Sequence, residues 1–213
     1  MSAAPALEAW GVRFGYRRGN EVLRGVDLAL AAGEVALLWG LNGSGKTTLG
    51  KILAGLYRPA AGTVTRPRGG VGLVLASPEP LLLGATPFED VRLGPALRKQ
   101  PAAEIERRAR EALALVGMWE RRDVPCDELS LGEKKRVALA ASFATSPAAL
   151  VLDEPMAFLD DRQAAALAAT VARAASEGAA VLVLSGRRDP GLACARALAL
   201  EDGVVVPARA VSP

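Results

Sequence analysis

No histidine occurs in the 213 residues of this chain, and only two cysteines do. Any step that elsewhere relies on an imidazole must therefore be managed without one, or by another group. Cys126 and Cys194 stand alone without metal-ligand spacing, so they are read as reduced bystanders and not as a bridge. No stretch approaches the roughly 20 consecutive apolar residues that a membrane span needs, and the N-terminus lacks the basic and apolar halves of a signal peptide. A soluble chain working in the cytosol is expected. Internal repeats and low-complexity linkers are absent as well. Net charge is only +3, and the basic residues are scattered apart from Lys134, Lys135 and Arg136 and the pair Arg187 and Arg188. That is too weak a footprint for nucleic acid, and no nucleic-acid partner is expected.

What is present is enough apolar material, 51% of residues, to bury a core as one domain with at most one inserted lobe. "EAWGVRF" and "VDLAL" alternate as strands do, with "YRRGNEV" as the polar turn between them. "GEVALLWG" is a continuous apolar run, as expected of a strand buried on both faces. A helical pattern follows in "GSGKTTLGKILAGLY", stopping at Arg58 and Pro59, and "GTVT" and "VGLVLA" read as two further strands. From about 78 to 144 the chain is richer in helix formers, and "AAEIERRAREALALVGM" repeats apolar residues at helical spacing. Beyond it come "AALVLDEP", an alanine-rich helix from about Asp161 to Glu177, "AAVLVLS", and "ALALEDGVVV" with a hairpin turn at Asp202 and Gly203. Alternating strands and helices predict an α/β fold with a mostly parallel sheet covered on both faces.

The strongest chemistry lies in "GLNGSGKTT", Gly40 to Thr48, which fits G-x-x-x-x-G-K-[ST], follows an apolar strand and opens a helix. Its glycines let backbone N–H groups turn inward on phosphates, and the helix N-terminus adds a favourable dipole. Lys46 is expected to reach the β and γ phosphates of a nucleoside triphosphate, and the Thr47 hydroxyl to ligate Mg²⁺. Far downstream, the strand in "AALVLDEP" delivers Asp153 at its end, where a carboxylate can hold the Mg²⁺ shell, followed at once by Glu154. Neighbouring side chains on a strand point apart, so the two acids need not share a task, and Glu154 is the candidate general base for an attacking water. A third stretch, "ELSLGEKKRVAL", reads as a helix entrance, with Ser130 as N-cap and Glu133 completing a capping box.

"GLNGSGKTT", then "LSLGEKKRVALA", then "VLDEPMAFLD", in that order, resemble the ATP-binding cassette (ABC) family of ATPases over nearly the whole chain. The resemblance implies a P-loop NTPase fold: a mostly parallel sheet flanked by helices, with an N-terminal antiparallel β subdomain and an inserted helical subdomain. As one ABC ATPase domain over 1–213, it would have its nucleotide-binding core at about 1–77 and 145–213 and its helical subdomain at about 78–144. It also implies that ATP binds to Tyr16, stacked on adenine, and to Asn42, Gly43, Ser44, Gly45, Lys46, Thr47 and Thr48, with Lys46 and Glu154 catalytic and Thr47 and Asp153 holding Mg²⁺. In the family two cassettes meet head to tail, so Ser130, Gly132 and Glu133 would press on the γ-phosphate held by a partner cassette, and Asp160 would cross the interface. Phe14 and Trp10 are read as ordinary sheet packing. "SPEPLLLGATPFEDVRLGP" is most similar to the ATPases of energy-coupling factor (ECF) importers, which drive vitamin or metal-ion uptake. That implies a transmembrane subunit as second partner and a place on the cytoplasmic face of the membrane. For Leu81 to Leu83 two readings stay open, a surface for that subunit and packing of the helical insert.

Departures from the family's pattern matter as much. Ala76, or with a one-residue slip Ser77, stands where a glutamine reaches the Mg²⁺ and the water. Gly186 stands where a histidine contacts the γ-phosphate, and Leu131 replaces a glycine of the signature. Arg187 or Arg188 as a substitute cation is set against the reading of a solvated surface pair. Slow or absent hydrolysis at this chain's own loop is expected, as in the degenerate half of a heterodimeric pair. The chain stops soon after "EDGVVVPARA", short of the C-terminal extension of many ECF ATPases, which keeps a small exporter as an alternative. A soluble nucleotide switch is the third class.

Overall fold

A computed structural model describes residues 6–17, 19–76, 82–157, 159–188 and 191–208. Among these described residues, two sheets and five helices, with short 3-10 turns between, account for the regular structure. The first sheet is antiparallel, with β1 (Leu7–Phe14) at its centre between β2 (Leu23–Leu30) and β4 (Ala61–Thr65). The second has six strands in the order β5 (Val71–Val74), β6 (Ala149–Asp153), β7 (Ala180–Ser185), β3 (Val35–Trp39), β8 (Arg196–Glu201), β9 (Val204–Pro207). It is parallel except for the last pair, which turns back at Asp202 and Gly203, both with positive φ.

The apolar runs behave as their composition demands. All five residues of β6 and all six of β7 are buried, because helices or the other sheet cover each face. One core joins the antiparallel sheet to the parallel one through Leu23, Leu38, Leu49, Val151 and Leu182. A second lies on the opposite face, where α4 (Leu131–Ala144) and α5 (Asp161–Ser176) cover Leu37, Leu152 and Val183. A third binds α2 (Pro87–Leu97), α3 (Ala102–Leu115) and α4 together through Val91, Leu113, Met118 and Val137. Helix α4 enters both of the last two, through Leu139 and Val137 respectively.

Two details differ from the sequence reading, and the leucine run divides between its two readings. Helix α1 covers Lys46–Leu53 only, ending before the turn at Gly55 (φ +86°) and short of Tyr57. Trp10 pairs with Thr63 of β4 but is not packed inside: next to the register shift beyond Ala9, where Gly11 has φ +59°, the residue is 67% exposed. Phe14 does pack, stacked on Tyr57 at 5.5 Å. Of the leucine run, Leu81 lies outside the described residues, Leu82 packs against the helical cores, and Leu83 is 81% exposed.

Candidate active site

The loop between β3 and α1 is shaped by its glycines where shape is demanded. Gly43 and Gly45 have φ of +82° and +104°, a region closed to most side chains, and a Cβ at Gly45 would lie 2.9 Å from Val22 Cγ1. The N-terminus of α1 is thereby left open toward the loop. Lys46 is buried and folds back across it, donating to Gly40 O at 2.6 Å and Leu41 O at 3.1 Å. Burial pulls its pKa below the ordinary lysine value, opposed by the carboxylates of Glu154 and Asp153. Ser44 Oγ is buried without a hydrogen-bond partner.

Asp153 ends β6 at 2% exposure and accepts the Thr47 hydroxyl at 2.6 Å. Burial pushes its pKa up, and the Thr47 bond, Lys46 and Lys135 pull the other way. Parallel pairing of β6 with β7 continues one residue further, with Glu154 N donating to Leu184 O at 2.9 Å. There the backbone turns left-handed, at φ +48°, and the Glu154 side chain swings to the end of β7. Its Oε1 accepts the Gly186 N–H at 2.5 Å, and the Ser185 hydroxyl stands 3.4 Å from Oε2. The two acids do meet different partners, because β6 ends at Asp153 and the backbone turns at Glu154.

A cavity of about 440 Å³ collects these groups: Asn42, Gly43, Gly45, Lys46, Thr47 and Thr48 from the loop and helix, and Asp153 and Glu154 from β6. Tyr16, Val22 and Ala76 complete the wall. Tyr16 is 59% exposed and is steadied by its hydroxyl contact with Thr48 Oγ1 at 2.9 Å and by Phe14, edge-on at 5.2 Å. Ser44 instead lines a larger hollow on the other flank of the loop, with Trp39, Gly40 and Asp202. A buried lysine beside a helix N-terminus and a Thr–Asp pair fit a triphosphate with a divalent cation.

A match to the ABC transporter family covers residues 23–157. The chain belongs to the ABC transporter family. It is an ATP-binding ATPase domain of the ECF type, and the family implies ATP hydrolysis. The energy-coupling factor transporter ATP-binding protein EcfA of Carboxydothermus hydrogenoformans is 39% identical over 84% of this chain and 70% of its own. The cobalt import ATP-binding protein CbiO of Syntrophus aciditrophicus is 35% identical over 94% of this chain and 76% of its own. Among solved structures, cbiO1 of Clostridium perfringens, part of the ABC transporter complex cbiONQ, superposes with a TM-score of 0.76 at 27% identity, covering 95% of this chain and 87% of that one.

Within this ABC cassette Ser130, Gly132, Glu133 and Asp160 do not line the cavity of its own phosphate loop. Ser130 opens α4 with a complete capping box: its hydroxyl accepts Glu133 N–H at 3.3 Å, and Glu133 Oε2 accepts Ser130 N–H at 2.9 Å. The same hydroxyl is 2.9 Å from Oε2 as its donor. Ser130 N–H, more than any other group, holds the Glu133 carboxyl below its usual range, helped by Arg121 and Arg136. Asp160 caps α5, accepting Gln163 N–H at 2.8 Å. Leu131 is 39% exposed beside the cap.

At the positions that depart from the family, Ala76 faces the cavity, while Ser77 lies outside the described residues. The Arg188 guanidinium stacks over Trp39 at 4.1 Å, and Arg187 uses its N–H on Ser185 Oγ at 3.0 Å. Sequence reasoning missed Lys135, fully buried at 0% exposure and donating to the Glu154 carbonyl oxygen. Helical spacing carried the signal, because Lys135 shares a stripe with the buried Ala138, Leu139 and Ser142.

Proposed function

We propose that this cassette is the motor subunit of an ECF-like importer of a vitamin or metal ion, and the weaker half of an unequal pair of cassettes. The observation that carries the second part is the environment of Glu154. Its carboxylate meets a backbone N–H at Gly186, and the wall nearby ends in the methyl group of Ala76. Neither offers a side-chain donor to a γ-phosphate. The first part is supported by relatives named for energy coupling and cobalt import.

In this reading Tyr16 stacks on adenine, and Asn42 to Thr48 cradle the phosphates with Lys46 drawn from its loop carbonyls onto β and γ oxygens. A Mg²⁺ ion held by the Thr47 hydroxyl and Asp153 carboxylate would neutralise phosphate charge. Glu154 takes a proton from the attacking water as its oxygen bonds to Pγ and the bond to the β-phosphate oxygen breaks. Loss of one positioning donor of the oxyanion-hole kind costs about a hundredfold or more, so this step is slow here. Ser130, Gly132 and Glu133 serve the nucleotide of a partner cassette head to tail, with Asp160 at that interface. Before doing so the Ser130 hydroxyl must give up Glu133. The segment at about 78–144 acts as the helical subdomain toward a transmembrane subunit, on the cytoplasmic face of the membrane.

The test is recovery of this chain from its own membranes in mild detergent, with phosphate release measured on the purified chain. Co-purification of a membrane protein and of a second cassette bearing the glutamine and histidine is expected, with slow turnover by this chain alone. Brisk turnover by the isolated homodimer would refute the unequal pair, and absence of any membrane protein would refute the motor.

A further inference from the structure

Among the described residues, Lys135 is the bulkiest side chain that is fully buried. An ammonium group is not removed from water without a partner that repays the cost, and here the Glu154 carbonyl oxygen accepts from it. That oxygen also accepts Ala157 N–H at 3.1 Å, so the turn after β6 closes on the same atom. Glu154 is a non-glycine residue with φ +48°, a conformation that persists only where surroundings over-determine it. Those surroundings are the Leu184 carbonyl on its N–H, the Gly186 N–H on its carboxylate, and Lys135 on its carbonyl.

Lys135 stands on α4, whose first turn is Ser130 to Glu133. Five residues at 1.5 Å each put it about 7 Å along the axis from Ser130, on a rigid helix packed into two cores. We propose that Lys135 is a positioning residue that ties α4 to the Glu154 peptide, so that the Ser130 turn and the aim of the Glu154 carboxylate move together. In a pair of cassettes this links the turn that serves the partner's nucleotide to the base at the chain's own loop. The inference rests on the reading of Glu154 as that base and goes beyond it.

The experiment is hydrogen exchange on the purified, nucleotide-free chain, comparing wild type with K135M, which keeps the apolar stem and loses the donor. Amides of Ala157 and Gly186 are expected to exchange about tenfold faster or more, while the interior amides of β6 and β7 keep wild-type protection. In parallel, ATP affinity stays within about twofold while the single-turnover rate falls about tenfold, the split expected when a group acts on the transition state alone. K135Q, which retains a donor on a shorter arm, recovers part of both effects. Wild-type exchange at Ala157 and Gly186 in K135M overturns the proposal. So does uniformly faster exchange with a lower melting temperature, which marks a purely structural lysine. If K135M does not fold, E133A decides: fraying the first turn of α4 must raise exchange at Gly186, and no change there overturns the link. The E154Q variant separates the two ideas, because an unchanged rate in it removes the base assignment without touching the exchange result.

Discussion

Gly186 offers a direct test of the proposal that this ABC cassette hydrolyses slowly for want of a side-chain donor. A Cβ built there would lie 3.4 Å from Glu154 Oε1, 3.5 Å from Asn42 Oδ1 and 4.0 Å from Gly40 O, all ordinary contact distances. Its φ lies outside the left-handed region, so an L side chain meets no backbone strain. Gly186 is exposed, and a substitution there should leave stability within about 0.5 kcal/mol. G186H therefore places an imidazole between the base carboxylate and the phosphate loop at little cost. One added donor to developing negative charge is worth about a hundred- to a thousandfold in rate, or about 2.7 to 4 kcal/mol. Because A76Q would act in the same cavity, the double variant should gain less than the product of the two single gains. The assay is single-turnover phosphate release by the chain alone at saturating ATP and Mg²⁺. A folded G186H protein that binds ATP with wild-type affinity yet hydrolyses no faster would refute the reasoning. Such a result would detach the rate of hydrolysis from the absence of a side-chain donor at position 186.

Three further outcomes follow from the same geometry. Y16A removes an exposed stacking face worth about 1 to 3 kcal/mol, so ATP affinity by equilibrium titration should fall about five- to 150-fold with little change in melting temperature. S130A removes the acceptor of the α4 cap and should cost about 1 kcal/mol in urea unfolding. In a mixed pair it should also lower turnover at the partner's loop, where a loss confined to stability would remove Ser130 from the composite site. Burial draws the Lys135 pKa down to about 8 from 10.5, against the pull of Asp153 and Glu154. Below pH 8 the ammonium is charged in both states and the fold carries the full cost of burying it. Between about 8 and 10.5 only the unfolded chain holds the proton, so stability rises with pH. The wild-type minus K135M difference in unfolding free energy should therefore move by about 2 kcal/mol in favour of wild type between pH 7 and 9.5. A flat difference would show that Lys135 does not titrate there.

Features written over a few neighbouring residues could be read without coordinates. "GLNGSGKTT" specifies its own loop, because glycine conformations and a helix start are local matters. Apolar "VALLW" declared a strand buried on both faces, "ALVLD" a strand with an acid at its end, Ser130 with Glu133 a capping box, and Asp202 with Gly203 the hairpin turn. The order of these elements was enough for the α/β class and for the meeting of Thr47 with Asp153, 106 positions apart, since the phosphate loop and the β6 end both belong to the carboxyl edge of one parallel sheet.

What the chain alone did not disclose depends on pairing between distant segments. Register of β3 on β7, Trp39 opposite Ser185, brings Arg188 onto the Trp39 ring. Register of β6 on β7, Asp153 opposite Leu184, puts the Gly186 N–H on the Glu154 carboxylate. Beside a register shift in β1, Trp10, read as ordinary sheet packing, stays exposed. Lys135 looked like one more basic residue in a charged triplet until the packing of α4 against the sheet buried it beneath Glu154. Local sequence determines the phosphate loop, the helix caps and which strands are buried, because propensity and hydrophobic period act over a few residues. Which donor finally faces Glu154 is decided by strand register and helix docking, and those are set only when the whole sheet closes.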